Sequence, residues 1–368
     1  LHSRLQDLGA VFGNKFGWER VLYLQPGKTW RMAGEDQRKW GWEKPPYFER
    51  LRQEHEATRE RVCLYDLSSF GKIDVKGPGA LTLLQRVTDN DMDQPAGTAI
   101  YTQFLNANGG IESDLTITRL GTDHFRAITG SGFIAADLGW LRMHTEPDDP
   151  PVEIRDVTME WSCLALWGPK ARQVLEQVTE ADTSNAAFPY LHAAYIDIHG
   201  NQVLAQRVSY VGELGWELYI DPKRAVQVWD ALMEAGEAFG IEVGGYKVLD
   251  SLRVEKGYKY FTADITPMED PYSAGLGFCV KLDKGDFIGR QALQEIKAAG
   301  TKKKLCTFTL EGDEYLPIYG GEAIYQDGKV VSRVRSGGFG YTLNQNIIYA
   351  YLPNDLSKPG TKFEVDVF

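Results

Sequence analysis

Asn106-Ala107-Asn108-Gly109-Gly110-Ile111-Glu112-Ser113-Asp114-Leu115-Thr116-Ile117-Thr118 combines a turn with an alternation. Gly109 and Gly110 supply the turn, because glycine takes a positive φ without steric cost. Beyond it, Ile111, Ser113, Leu115 and Ile117 fall on one face of a strand and Glu112, Asp114, Thr116 and Thr118 on the other. The alternation separates Asp114 from the apolar side and sets it beside Thr116. A carboxylate and a hydroxyl delivered together from a glycine turn suit a site. Spacing alone favours a hairpin whose polar side faces water, as most alternating strands do.

Outward from this stretch, two units share one signature. Lys72-Ile73-Asp74-Val75-Lys76 reads as a strand that Gly77-Pro78 turns into a helix, with Leu81, Leu84 and Val87 on its buried side. The signature recurs 91 residues later, where Leu164-Ala165-Leu166-Trp167 leads through Gly168-Pro169 to a helix with Val174, Leu175 and Val178. This implies an internally duplicated α+β architecture. Upstream, Leu5, Leu8 and Phe12 outline a helical face, and Val21 to Leu24 a strand. Residues 25–47 read as irregular surface chain, and Tyr47 to Arg61 as an amphipathic helix whose charges are solvated.

Pro147 to Pro151 marks a linker between subdomains. Residues 203–220 read as a hairpin, with arms Val203–Tyr210 and Trp216–Ile220 about a turn at Gly212–Gly215. Helices follow at Pro222–Gly240 and about Lys247–Lys256. Five short, regularly spaced strands then predict a small all-β barrel: Cys306–Leu310, Glu322–Tyr325, Val330–Val334, Ile347–Tyr351 and Phe363–Val367.

At 368 residues the chain exceeds one compact core, which implies two or three domains. The 40 Lys+Arg stand against 51 Asp+Glu, a balance of −11, and no long basic run appears, so nucleic acid is excluded as a partner. No apolar run approaches the ~18 residues of a membrane span, and no signal-like start is visible. The four cysteines lie far apart without a Cys-x-x-Cys pair, arguing against a disulfide framework or a zinc site and for a reducing compartment. A start at Leu1 reads as a processed protein or a piece of a longer one. The glycine clusters at Gly275–Gly277 and Gly337–Gly340 lack the strand-then-helix context of a nucleotide site. The six histidines show no metal-ligand spacing, and no Gly-x-Ser-x-Gly elbow is present.

A second constellation, Arg207 to Glu217, places Tyr210 and Glu217 on opposite arms of the expected hairpin. A carboxylate accepts a planar amidine-like N–H pair in bidentate fashion, and a pterin ring presents such an edge. Tyr and Glu are also common on exposed strands, and without context that reading is favoured.

These stretches, with Gly9-Ala-Val-Phe-Gly13, Phe16-Gly-Trp-Glu-Arg20, Tyr65-Asp-Leu-Ser-Ser-Phe70, Asp250 to Tyr258, Ala274-Gly-Leu-Gly-Phe278 and Ser336 to Thr342, resemble the aminomethyltransferase (glycine cleavage T-protein) family. The resemblance covers nearly the whole chain. The Gly-Trp-Glu-Arg opening is most similar to the folate-binding C-terminal half of dimethylglycine and sarcosine dehydrogenases. It implies a three-lobed α+β folate-binding fold with a C-terminal β-barrel. The expected division is 1–60 with 151–275 as lobes holding the pterin hairpin, 61–150 as the lobe carrying Asp114, and 276–368 as the barrel.

The resemblance further implies Asp114 as the catalytic carboxylate with Thr116 beside it, Tyr210 and Glu217 at the pterin, and Tyr258 in the same pocket. Arg253, Arg333 and Arg335 are available for the carboxylates of the folate tail, and Phe278 stands where the family commonly has Trp, as an aromatic wall. Two departures concern folate-side positions: Gly130 replaces an Asn and Leu249 an Arg.

The expected activity is tetrahydrofolate-dependent one-carbon transfer from a small N-methyl substrate, giving 5,10-methylene-tetrahydrofolate. FAD enters only with a separate oxidising domain or subunit. The expected setting is bacterial cytoplasm or the mitochondrial matrix. A folate-dependent O- or S-demethylase or methylenedioxy demethylenase is the alternative within enzymes. A folate-binding accessory protein is the alternative outside them; its iron–sulfur assembly version is disfavoured because Lys256-Gly257-Tyr258-Lys259 lacks that group's Cys.

Overall fold

The computed structural model describes residues 1–34 and 43–367. Part of the expected irregular chain, residues 35–42, lies outside the described residues.

The Asn-Ala-Asn-Gly-Gly turn is built as the sequence requires. Asn106 Oδ1 accepts the backbone N–H groups of Asn108 and Gly110, both at 3.0 Å, and Gly109 has φ +79°. A Cβ at Gly110 would stand 2.0 Å from the Pro267 carbonyl oxygen, so only glycine passes there. The turn joins Ala99–Leu105 to the long strand Ile111–Gly121, which pairs onward with His124–Thr129, Gly71–Lys76 and Glu153–Asp156 in a five-stranded sheet. One face of this sheet (Ile73, Val75, Ile100, Phe104, Leu115, Ile117, Phe125 and Ala127) is buried under the Ala80–Val87 and Ile134–Met143 helices. The other face is polar and carries Asp114, Thr116 and Thr118.

The second sheet has six strands in the order Ala193–Ile198, Asn201–Gln206, Gly215–Ile220, Ser162–Trp167, Val62–Asp66 and Ile241–Gly244, antiparallel except for the last pair. Both faces are covered. Leu64, Leu166, Trp216 and Leu218 pack with the Ala171–Leu175 and Ala225–Gly236 helices. Tyr65, Trp167, Leu204 and Tyr219 pack toward the Phe48–Glu60 and Tyr246–Glu255 helices.

The duplicated signature is structural. Each Gly-Pro follows an interior strand of its sheet, with φ +116° at Gly77 and +139° at Gly168. A Cβ would meet the Pro151 carbonyl oxygen at 2.6 Å in one and that of Arg61 at 2.5 Å in the other. The sheets interleave along the chain. Val62–Asp66 belongs to the six-stranded sheet and Glu153–Asp156 to the five-stranded one, so the crossings between lobes fall at 67–70 and 157–161.

The C-terminal strands Lys303–Thr309, Gln345–Pro353, Lys329–Gly340, Ala323–Gln326 and Glu364–Val365 form a barrel-like sheet whose hydrogen-bond ladder stays open. Side chains close it: Phe308 of the first strand meets Phe363, beside the last, edge to face with centroids 5.6 Å apart.

Three expectations are corrected. Leu5, Leu8 and Phe12 do not share a helix: the His2–Asp7 helix ends before Gly9 (φ +73°), and Phe12 lies in the Ala10–Lys15 strand. The charges of the Phe48–Glu60 helix are not all solvated, since Glu54 and His55 are fully buried. Glu54 accepts the N–H groups of Leu24 (2.9 Å) and Gly245 (3.0 Å), and His55 bridges Ser251 to Glu255 and Thr342. The hairpin arm ends at Gln206 rather than Tyr210, leaving 207–214 as an irregular connection.

Candidate active site

Asp114 is half-buried at the middle of its strand. Tyr101, on the neighbouring strand, donates its hydroxyl to Asp114 Oδ2 at 2.7 Å. Burial pushes the Asp114 carboxyl up to about 6, an effect the Tyr101 hydrogen bond opposes and the charge of Asp264 reinforces. Thr116 lies two residues on along the same face, directly opposite Tyr101.

Glu217 stands on the six-stranded sheet, on the face turned toward the Asp114 lobe. Tyr219 donates to Glu217 Oε2 at 2.6 Å, and among the described residues the other oxygen accepts no hydrogen bond. Burial raises this carboxyl to about 7, against the Tyr219 hydrogen bond and the charge of Lys72. Gln206 is directly opposite Glu217 in the register, and its Oε1 accepts the Thr118 hydroxyl at 2.6 Å. Thr118 shares its face with Asp114, about 13 Å along the strand. The two carboxylates therefore stand on faces that turn toward each other, joined at the Thr118–Gln206 hydrogen bond.

Tyr210, displaced from the expected strand, donates its hydroxyl to the Lys259 carbonyl at 2.7 Å and stacks on Tyr258 with centroids 6.0 Å apart. The ionisation of Tyr210 is opposed by the charge of Asp114, and that of Tyr101 by Tyr210, which places Tyr210 on the Asp114 side. Register does not pair it with Glu217, because the arm ends before it. Arg253 is buried and committed: it pairs with Asp264 at 2.5 Å and Asp250 at 3.2 Å and reaches Ser336 Oγ at 3.1 Å. Its guanidinium is engaged by these three protein partners. Arg335 likewise pairs with Glu269 at 3.3 Å. Phe278 is 66% exposed, while the adjacent Cys279 is buried against Gln103.

The departures have clear physical settings. A side chain at Gly130 would meet the Phe133 ring at 2.8 Å, so that ring fills the space an Asn would take. Leu249 is buried in the core and offers no charge. Sequence reasoning missed Tyr101, Gln206 and Lys72. For Tyr101 and Gln206 the signal is cross-strand register; for Lys72 it is the alternation of Lys72, Asp74 and Lys76 with Ile73 and Val75. Among the described residues no cluster of His, Cys, Asp and Glu is arranged to hold a metal, and no helix is long and apolar enough to cross a membrane.

Residues 1–284 match the GCVT N-terminal domain and residues 303–368 the glycine cleavage T-protein C-terminal barrel domain. The chain belongs to the glycine cleavage T-protein family of folate-dependent aminomethyltransferases, as the sequence resemblance implied. It is 35% identical to an aminomethyltransferase of Halothermothrix orenii over 89% of this chain and 90% of that one. It is 38% identical to 4-methylaminobutanoate oxidase (formaldehyde-forming) of Paenarthrobacter nicotinovorans, over 99% of this chain and 43% of that one. The chain spans less than half the length of the oxidase and dehydrogenase relatives that it matches. The crystal structure of glycine cleavage system aminomethyltransferase T from Bartonella henselae superposes with a TM-score of 0.82 at 25% identity, covering 99% of this chain and 92% of that one.

The family uses tetrahydrofolate, and the residues present fit it. Among the described residues one Glu217 carboxylate oxygen accepts no hydrogen bond, and beside it the buried Gln206 Nε2 has no hydrogen-bond partner. An acceptor next to an unsatisfied donor matches a ring edge carrying both N–H and C=O groups.

Proposed function

We propose that this chain takes a one-carbon unit, already oxidised from a small N-methyl amine to the iminium or formaldehyde level, and transfers it to tetrahydrofolate, forming 5,10-methylene-tetrahydrofolate. The carrying observation is the Tyr101–Asp114 pair on the face opposite Glu217. Glu217 and Gln206 bind the pterin edge, and Tyr210, Tyr258 and Thr116 border the same pocket. Tetrahydrofolate supplies the amine that accepts the carbon. Asp114, poised near neutrality by burial, takes the proton that this amine sheds and offsets positive charge on the incoming carbon. Tyr101 fixes Oδ2 and leaves Oδ1 for the proton.

Similarity to a formaldehyde-forming 4-methylaminobutanoate oxidase supports an oxidised N-methyl donor, made on a separate FAD-bearing domain or subunit. The test is tetrahydrofolate calorimetry paired with formaldehyde condensation. Wild-type protein is expected to bind and accelerate, Glu217→Ala to lose affinity, and Asp114→Ala to bind without accelerating. Absence of binding by wild-type protein would overturn the reading.

A further inference from the structure

We propose that Lys259 binds a carboxylate of the glutamate tail of tetrahydrofolate. The inference rests on the folate reading of the site and deepens it. Lys259 lies in the connection after the Tyr246–Glu255 helix, and its backbone already belongs to the site. Its carbonyl accepts the Tyr210 hydroxyl at 2.7 Å, and the preceding residue, Tyr258, stacks on the Tyr210 ring. The side chain is half-buried. Its Nζ donates to the Gly257 carbonyl at 2.8 Å, and among the described residues the ammonium makes no other hydrogen bond and no ion pair. On its other side stands Gly275. Apart from adjoining residues, a Cβ built there would have that ammonium, at 3.9 Å, as its one neighbour within 4 Å among the described residues. Ala274 and Leu276, on either side of Gly275, pack in one cluster with Tyr101, the residue that holds Asp114. The ammonium is thus bracketed by two segments that border the Asp114 carboxylate.

Drawing a cation out of water costs free energy unless an anion or a full set of acceptors meets it. Elsewhere in the chain that condition is satisfied. Lys284 donates to the carbonyls of Gln85, Thr88 and Asn90 at 2.6–2.9 Å, and Arg253 and Arg335 have carboxylates of their own. Lys259 has one carbonyl. The anion whose charge acts on it is Asp264. That carboxylate is fully buried and already accepts the Arg253 guanidinium, the Tyr260 N–H and the Ser336 hydroxyl. Burial accordingly lowers the pKa of Lys259, against the charge of Asp264. Two N–H groups on a cation beside an open gap suit a carboxylate, as a charge-assisted pair. Tetrahydrofolate carries two carboxylates on its glutamate, one aryl amide beyond the amine that Asp114 serves on the proposed reading. Lys15 adds a second cation at the next residue along: its Nζ donates to the Tyr260 hydroxyl at 2.9 Å and forms no ion pair among the described residues.

The experiment compares two ligands on the full chain by calorimetry: tetrahydrofolate, and 6-methyltetrahydropterin, which has the ring without the tail. Lys259→Met is expected to weaken tetrahydrofolate binding about tenfold, the size of a hydrogen bond to a charged group, and 6-methyltetrahydropterin binding by less than about twofold. Equal losses for the two ligands would overturn the proposal and leave Lys259 a support of the Tyr210 segment. No loss for either would also overturn it, and would leave the one-carbon donor as the source of any carboxylate at this cation. Should 6-methyltetrahydropterin bind too weakly to compare, the salt dependence of tetrahydrofolate affinity decides: Lys259→Met is expected to flatten it, and an unchanged dependence would overturn the proposal. Lys259→Gln carries the same comparison if Lys259→Met does not fold. Failure of wild-type protein to bind tetrahydrofolate would instead overturn the folate reading.

Discussion

The Tyr101 hydroxyl lies 2.7 Å from Asp114 Oδ2, although Tyr101 is set directly opposite Thr116 and not opposite the carboxylate it serves. This diagonal reach across adjacent strands is within the span of an aromatic side chain. It fixes one oxygen of a carboxyl whose charged form burial disfavours.

Removing that donor has a defined sign. The hydrogen bond favours the charged form, so Tyr101→Phe raises the Asp114 pKa above its value of about 6. The acid limb of the pH–rate profile for formaldehyde condensation is expected to move up by roughly one unit, about a fivefold loss at pH 6 that approaches tenfold at lower pH. An unchanged profile would separate Tyr101 from the chemistry.

Stability should respond to pH through the same carboxyl. Its folded pKa of about 6 lies above the ordinary 3.8, so the folded state binds the proton more tightly than the unfolded chain. The resulting stabilisation is complete below pH 4 and lost as pH rises through 6. Asp114→Asn removes this penalty and is expected to stabilise the protein at pH 8 by up to about 3 kcal/mol relative to its effect at pH 4. Urea unfolding at the two pH values measures it.

Glu54, which burial also raises, to about 7, is a structural carboxyl whose loss acts through the hydrogen bonds it accepts. It closes two buried backbone N–H groups, of Leu24 and Gly245, and pairs with Arg50 at 3.1 Å. Glu54→Ala leaves both donors unsatisfied and is expected to cost about 2–4 kcal/mol. Denaturant titration checks the loss, and tetrahydrofolate affinity of the remaining folded protein should not change.

Arg253 offers a comparison between a ligand contact and a buried ion pair. Truncating either Arg253 or Asp264 strands the other charge, and each is expected to lower stability by about 3–5 kcal/mol. A loss of folate affinity at unchanged melting temperature in Arg253→Leu would return this residue to the binding site.

At Gly110 the obstacle is backbone. A methyl group would overlap the Pro267 carbonyl, so Gly110→Ala is expected to destabilise by about 1–3 kcal/mol and to lower condensation activity by displacing the strand that carries Asp114. Gly139→Ala, at a position with no positive φ and nothing within 4 Å of an added Cβ, supplies the control without the backbone clash.

Much of this was legible because it is periodic. The alternation from Ile111 to Thr118 gave the correct two faces, and the paired Gly-Pro signatures gave two strand-to-helix units. Tyr101 escaped because of a bulge at Phe104/Leu105. Counting back evenly from the turn places Tyr101 opposite Leu115, on the apolar face; the extra residue moves it opposite Thr116. Tyr210 was misassigned to a strand because its local residues favour one, whereas pairing stops at Gln206. Glu54 and Arg253 sit in helices whose charges look solvated until tertiary partners far along the chain are known.

The Thr118–Gln206 hydrogen bond has a mechanical consequence. On the proposed reading one lobe contributes Asp114 and the other Glu217, so neither half holds a complete site. A ligand spanning both would act as a tether, and its affinity would report how firmly the halves are seated. Loosening that seam by Thr118→Val should therefore weaken binding without touching either carboxylate.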